Sequence, residues 1–175
     1  MFSYAMKYTY MKDFIFYPIF LWIYNWILKV TAKNIEYYLS NENHALIKAN
    51  NSDACYDIQS NEFYEIFPGE RKLISTKLFF KLPLNWEAQI RSRSGNANNH
   101  GIMVLNSPGT IDSGYRNEVK VILYNTGVDT FNIVPGDRIA QVKFDKVPRT
   151  NLKRSNINFS INTDRGQKGF GSSGK

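Results

Sequence analysis

In GTIDSGYR, residues 109 to 116, a carboxylate stands three positions before a tyrosine, with Ser113 and Gly114 between them. Asp112 follows an apolar residue at the end of a stretch with strand character, where a short side chain can be aimed accurately. A carboxylate held beside a flat aromatic wall is suited to activating water against a bound sugar phosphate. A turn-capping aspartate has the same spacing, and spacing alone does not separate the two.

Four other short stretches carry residue types that strand interiors avoid: SDACYDI (52 to 58), RSRSG (91 to 95), PGDRIAQ (135 to 141) and the terminal DRGQKGFGSSGK (164 to 175). RSRSG joins two guanidinium groups, two hydroxyls and a glycine, a donor set for phosphate oxygens that is equally the composition of an exposed basic loop. Asp57 and the Pro-Gly-Asp turn, taken singly, read as ordinary turn residues. The tail costs ~1–2 kcal/mol per residue to order. Arg165, Lys168 and Lys175 stand there among amides that glycine leaves open, so a ligand able to order it would be anionic.

These stretches need a scaffold, and the segments between them supply one. From residue 30 onward the chain alternates short strand-like runs with turn signals and shows no convincing helical stripe. LISTKLFFKL, from Leu73, follows the turn Pro68-Gly69, and EVKVILYN, 118 to 125, places Val119, Val121 and Leu123 on one face. RIAQVKF, 138 to 144, is a further strand after Pro135-Gly136-Asp137. This spacing predicts an all-β sandwich or jelly roll. After Phe144 the chain turns polar and aperiodic, as an arm that could reach a neighbour would.

The 175 residues suit one domain with its own core. A single cysteine, Cys55, excludes an internal disulfide, and with only His44 and His100 no zinc cluster can form, so a metal would be held through oxygen. The net charge of +7 comes from scattered lysines and arginines, the pattern of a solvated basic surface more than of a nucleic-acid footprint. One segment departs from this pattern: FIFYPIFLWIYNWIL, 14 to 28, is apolar and aromatic but shorter than the ~20 residues of a membrane-spanning helix. Lys7 and Lys12 before it, and Thr31 and Ala32 after it, permit a signal-peptide reading, while Val30 to Ile35 also reads as the first strand of the domain. A dispensable upstream extension is the reading taken, ahead of a membrane anchor and of a cleaved signal. The divisions expected are 1–26 for the extension, 27–144 for the β domain and 145–175 for the arm.

Together, and in order, the five stretches resemble the motifs of the trimeric deoxyuridine triphosphatase family over roughly residues 30 to 175, with RSG at 93 to 95, GTIDSGYR at 109 to 116, PGDRIAQ at 135 to 141 and RGQKGFGSSG at 165 to 174. The resemblance implies a β jelly roll assembled as a homotrimer with active sites shared between subunits. It implies Mg²⁺-dependent hydrolysis of dUTP to dUMP and pyrophosphate, which keeps uracil out of DNA and supplies dUMP for dTMP synthesis, in the cytoplasm or in a nucleus or organelle. By the same resemblance Asp112 is the general base, and Tyr115 packs beneath the deoxyribose and excludes a 2′-hydroxyl. Asn106, Gly109 and Ile111 read uracil in a tight hairpin. Arg93, Ser94, Gly95 and Gln141 bind phosphates, and Asp57 holds a water of the Mg²⁺ shell. In the tail, Arg165 grips phosphate, Phe170 stacks on the base, and Gly171, Ser172 and Ser173 close over the γ-phosphate.

Several residues depart from the family pattern. Cys55, Lys77 and Asn117 stand where glycine is usual, and Lys168 where a small residue is usual. A positive φ at the first three would be tolerated best by asparagine. Two alternatives stay in view: a dCTP deaminase-like enzyme, whose glutamate falls at Ile122 in this chain, and a catalytically weakened nucleotide binder of the same fold. Nucleic-acid binding comes third.

Overall fold

The computed structural model describes residues 18, 21–23, 34–42 and 44–156. Eleven strands follow one another: β1 (Glu36–Leu39), β2 (Tyr56–Gln59), β3 (Tyr64–Ile66), β4 (Arg71–Ile74), β5 (Leu78–Lys81), β6 (Trp86–Arg91), β7 (Ile102–Val104), β8 (Gly109–Asp112), β9 (Val121–Asn125), β10 (Phe131–Ile133) and β11 (Arg138–Lys146). One short helix, α1 (Ser94–His100), interrupts them between β6 and β7. All pairing is antiparallel. A four-stranded sheet runs β2-β11-β6-β8, a three-stranded sheet runs β4-β9-β7, and two ribbons pair β1 with β5 and β10 with β3. This is the jelly roll that the strand spacing predicts.

The core lies where the inward faces of these sheets meet. Alternation drives it: Val121, Leu123 and Asn125 of β9 are buried together with Val119, while Ile122 and Tyr124 between the β9 three are only half-buried. Ile58, Ile139 and Val142 from the larger sheet, with Ile66 and Ile74, close the interior. Phe144 meets Phe80 edge-on at a ring separation of 5.2 Å, extending the apolar layer towards β1.

Two boundaries differ from the sequence expectation. The first strand begins at Glu36, later than the expected Val30 to Ile35, of which residues 30–33 lie outside the described residues. LISTKLFFKL is two strands, because Ser75, Thr76 and Lys77 leave the ladder between β4 and β5. Lys77 adopts φ +53, the left-handed region that costs a residue with a Cβ about 1–2 kcal/mol.

The carboxylate of Glu118 pins this break. Its Oε1 accepts from Ser75 Oγ at 2.6 Å, the Thr76 amide at 3.1 Å and the Lys77 amide at 2.9 Å. Burial acts to raise the Glu118 pKa. The Ser75 and Lys77 hydrogen bonds and the Lys77 and Lys120 ammonium groups outweigh it and hold the group below its ordinary value. A carboxyl depressed in the folded state stabilises above its unfolded pKa of about 4.3. That contribution fades as the pH falls through the lower, folded value. Glu118→Gln is therefore expected to lower unfolding free energy by about 1–2 kcal/mol at pH 7. The gap to the native protein should narrow on acidification below pH ~4, as urea denaturation at a series of pH values would read.

Candidate functional site

The larger sheet brings three of the polar stretches to one place. β11 lies between β2 and β6, so that Gln141 stands opposite Asp57 on one side and Arg91 on the other. Directly after Arg91 the chain leaves β6 through Ser92 and Arg93 and winds into α1. Arg93 reaches back to Asp57: its Nε donates to Oδ1 at 2.8 Å and its Nη2 to Oδ2 at 3.4 Å. Arg138 adds a second guanidinium, with Nη1 at 3.3 Å from Oδ2. Asp57, whose side chain is 14% exposed, thus joins two arginines that enter from different elements.

Around this cluster is a cavity of about 370 Å³ lined by Cys55, Asp57, Arg93, Gly95, Arg138 and Gln141, among others that include Ser94. Gln141 Nε2 donates to the Ser92 carbonyl at 2.8 Å, and Arg93 Nη1 and Asn96 Nδ2 both donate to the Arg138 carbonyl at 3.1 Å. Ser94 and Gly95 open α1, where first-turn amides have no partner within the helix. The donors around the cavity suit an anion of several oxygens.

α1 contains no buried residue, so it is held by its ends and by the Asn96 side chain on the Arg138 carbonyl. At the C-terminal end Gly101 takes φ +68, and its amide donates to the Ala97 carbonyl at 3.1 Å. A Cβ at Gly101 would meet the Gly127 nitrogen at 2.6 Å, and one at Gly127 would meet the His100 carbonyl oxygen at 2.5 Å. The turn bearing Gly127 is fixed by the buried Asn125. Its Nδ2 donates to the carbonyls of Ile66 and Asp129 at 2.9 and 2.8 Å, and its Oδ1 accepts from the Gly127 amide at 2.8 Å.

The stretch 106 to 116 forms a second cluster, and not in the expected tight hairpin. β7 pairs with β9 and β8 with β6, so the segment between them crosses from one sheet to the other. Ser92 Oγ accepts from the Val104 amide at 2.8 Å, tying the crossing to the loop that precedes α1. Asn106 lies over Gly109, where a Cβ would come within 3.1 Å of the Asn106 amide nitrogen. Ile111 stands opposite Ala88, and Asp112 is exposed at the end of β8 opposite Glu87. The Tyr115 amide donates to the Asp112 carbonyl and its hydroxyl to the Glu118 carbonyl, both at 3.0 Å, which sets the 39%-exposed ring beside the strand end.

Asp57, Arg93, Ser94, Gly95 and Gln141 are therefore brought together, and Asn106, Gly109, Ile111, Asp112 and Tyr115 form a separate group. Asp112 does not line the cavity. Along β6 its partner Glu87 lies four residues from Arg91, a separation of roughly 13 Å. Arg165, Phe170, Gly171, Ser172 and Ser173 lie outside the described residues, as does Lys168. Of the residues that depart from glycine, Cys55 and Asn117 do not have positive φ, and only Lys77 does. The sequence reading did not assign Arg138, Ser92 or Asn96. Arg138 lies in PGDRIAQ, and its place beside Asp57 follows from β11 pairing with β2, with a register shift between Arg138 and Ala140. Ser92 is one of the two hydroxyls of RSRSG, and Asn96 carries no signal of its own.

A model of the dUTPase family matches residues 41–174. The chain belongs to the dUTPase family. The deoxyuridine 5'-triphosphate nucleotidohydrolase of Clostridium novyi is 46% identical over 73% of this chain and 88% of its own length. That of Crocosphaera subtropica is 48% identical over 70% of this chain and 85% of its own length. Among solved structures, the Staphylococcus bacteriophage 80alpha dUTPase with dUpNHpp superposes with a TM-score of 0.74 at 24% identity, covering 82% of this chain and 100% of that one, a likeness of fold.

The seating of α1 yields a direct expectation. Gly101→Ala combines left-handed strain of about 1–2 kcal/mol with a backbone clash. It should cost at least ~2 kcal/mol in stability, read as a fall in thermal midpoint.

Proposed function

We propose that this chain is a dUTP diphosphatase that hydrolyses dUTP to dUMP and pyrophosphate. The observation that carries this reading is the convergence of Asp57, Arg93, Ser94, Gly95 and Gln141, from three separated stretches of a dUTPase-family chain, on one donor-rich cavity. The guanidinium groups, the Ser94 hydroxyl and the first-turn amides bind the triphosphate. Preorganised donors of this kind gain strength when water is excluded. Asn106 and the backbone around Gly109 and Ile111 hold the uracil, and the Tyr115 ring lies against the deoxyribose where a 2′-hydroxyl would collide. Asp112 takes the proton of the water that attacks the α-phosphorus. The bond from that phosphorus to the bridging oxygen breaks, and pyrophosphate leaves.

The residues present fit Mg²⁺. Among the described residues no three His, Cys, Asp or Glu side chains gather into a protein cage. The cavity instead offers Asp57, with Asp53 also on its wall. That donor set suits an ion that keeps several waters and takes its other ligands from phosphates. Asp57 would hold it through water, and when bound it would neutralise charge on the phosphates.

The distance between the Asp112 group and the cavity supports sites shared between subunits, with Asp112 of one copy serving the cavity of another in a homotrimer. From Val147 to Asn156 the chain is exposed, and Leu152 is 98% so, as an arm with its contacts on a neighbour would be. Residues 145–175 then form that arm. Its end, with Arg165, Phe170, Gly171, Ser172 and Ser173, closes over the nucleotide and reopens for product release. Residues 27–144 form the catalytic domain, and 1–26 an extension that turnover does not require. Among the described residues no helix is long and apolar enough to cross a membrane. A cytoplasmic, nuclear or organellar site of action goes with dUTP as substrate. The engagement of Glu118 by Ser75, Thr76 and Lys77, together with Ile122 at the position where a deaminase needs a glutamate, speaks against deamination.

Pyrophosphate release from dUTP, dCTP, dTTP and UTP with Mg²⁺ should be confined to dUTP, and turnover of dCTP with ammonia release would refute the reading. Asp112→Asn should retain nucleotide binding and lose at least ~100-fold in kcat. Asp112→Asn and Arg93→Ala chains unfolded and refolded together should recover activity well above the sum of the two alone. No recovery in mixed oligomers would refute shared sites. Truncation after Thr163 should leave a folded protein with poor turnover, whereas full activity would rule out a closing tail.

A further inference from the structure

Arg93, Arg138 and Gln141, which line the cavity, each donate to acceptors inside the protein. Arg93 spends its fork on Asp57 and its remaining Nη1 on the Arg138 carbonyl. Arg138 Nη1 donates to the same carboxylate, and Gln141 Nε2 to the Ser92 carbonyl. The Asp57 carboxylate is planar, anionic and gripped by two guanidinium groups, which is how such groups also grip a phosphate. It belongs to β2, whereas Arg93 follows β6 and Arg138 opens β11, so the three are held in register by the sheet and not by local sequence.

We propose that the Asp57 carboxylate is an internal stand-in for substrate phosphate. It holds Arg93 and Arg138 until the polyphosphate takes them, and only then turns to the hydrated metal. This inference rests on the dUTP reading above. Its physical basis is the cost of leaving a largely buried carboxylate without a cation. A polyphosphate that captures the two guanidinium groups strips Asp57 of its partners, and a divalent cation arriving with the nucleotide replaces them. Nucleotide without metal must leave Asp57 unpaired, and metal without nucleotide meets a carboxylate already satisfied. Each therefore raises the affinity of the other by the same factor. Asp57 is in these terms a coupling residue, and the Asp57–Arg93–Arg138 cluster keeps the empty site charge-balanced.

The test is calorimetric binding of dUpNHpp to the full chain, with EDTA and with Mg²⁺. Asp57→Asn keeps the shape and removes the charge. It should bind the analogue at least tenfold more tightly than the native protein in EDTA, and the enhancement by Mg²⁺ should shrink at least tenfold. In an Arg138→Gln background the metal-free gain from Asp57→Asn should be clearly smaller. Equal metal-free affinity of native and Asp57→Asn proteins would overturn the proposal. So would an equal gain in both backgrounds, since the carboxylate would then merely repel the polyphosphate. No binding of dUpNHpp by any form, with or without Mg²⁺, would sink the dUTP reading and this inference with it. Should Asp57→Asn fail to fold, the native protein supplies the readout. The Arg93 Nε–H resonance must shift when dUpNHpp is added in EDTA, and an unmoved signal overturns the exchange.

Discussion

β11 is hydrogen-bonded along both edges, to β2 on one side and β6 on the other, and this double pairing fixes the relative positions of nearly every charged group in the cavity. Apart from the register shift between Arg138 and Ala140, the pairing with β2 is regular from Ala140 to Val142, where a shift by one residue would turn every side chain to the opposite face. With Val142 and Ala140 buried, that shift would put polar side chains in the core. The apolar alternation of β11 therefore sets the register, and the register aligns Gln141 with Asp57 and Arg91. Chemistry on one face of the sheet is specified by packing on the other.

Outside the sheet the same economy recurs with single side chains that satisfy several backbone groups. Asn125, wholly buried, bonds to carbonyls on two segments and to the amide of Gly127. Glu118 gathers a hydroxyl and two amides where the chain leaves the ladder at Lys77. Each replaces several loop-ordering contacts with one residue whose own position is set beside or within β9. Charged and amide groups so used are fully engaged, which separates Glu118, a structural carboxylate, from Asp112, whose side chain is exposed.

What was legible in the sequence was what periodicity or pattern writes locally. The alternation of Val119, Val121 and Leu123 reports burial directly, and the ordered polar stretches report the family. The break inside LISTKLFFKL was half-legible: composition reads as one strand, yet Lys77 occupies a position where glycine is usual, and it does carry a positive φ. α1 was not legible, because Ser94–His100 has no apolar stripe and consists largely of weak helix formers. The helix forms because Gly101 and the loop after Arg91 hold its ends. The crossing between β7 and β8 was hidden for the opposite reason. The resemblance implies a tight hairpin there, and only long-range pairing with β9 and β6 separates the two strands. Arg138 escaped notice because its partner is remote in sequence.

α1 is held at both termini and by Asn96, and Ala97, Asn98 and Asn99 face solvent beside the cavity wall. Residues 97–99 are thus free of contacts with the cavity's charged groups and with the core. A fluorophore or spin label attached at Asn98 would ride on a segment whose position is set by Gly101, Arg93 and the Asn96 side chain. The helix is accordingly a natural mounting point for an optical reporter of site occupancy, one that leaves the phosphate-gripping residues and the apolar interior untouched.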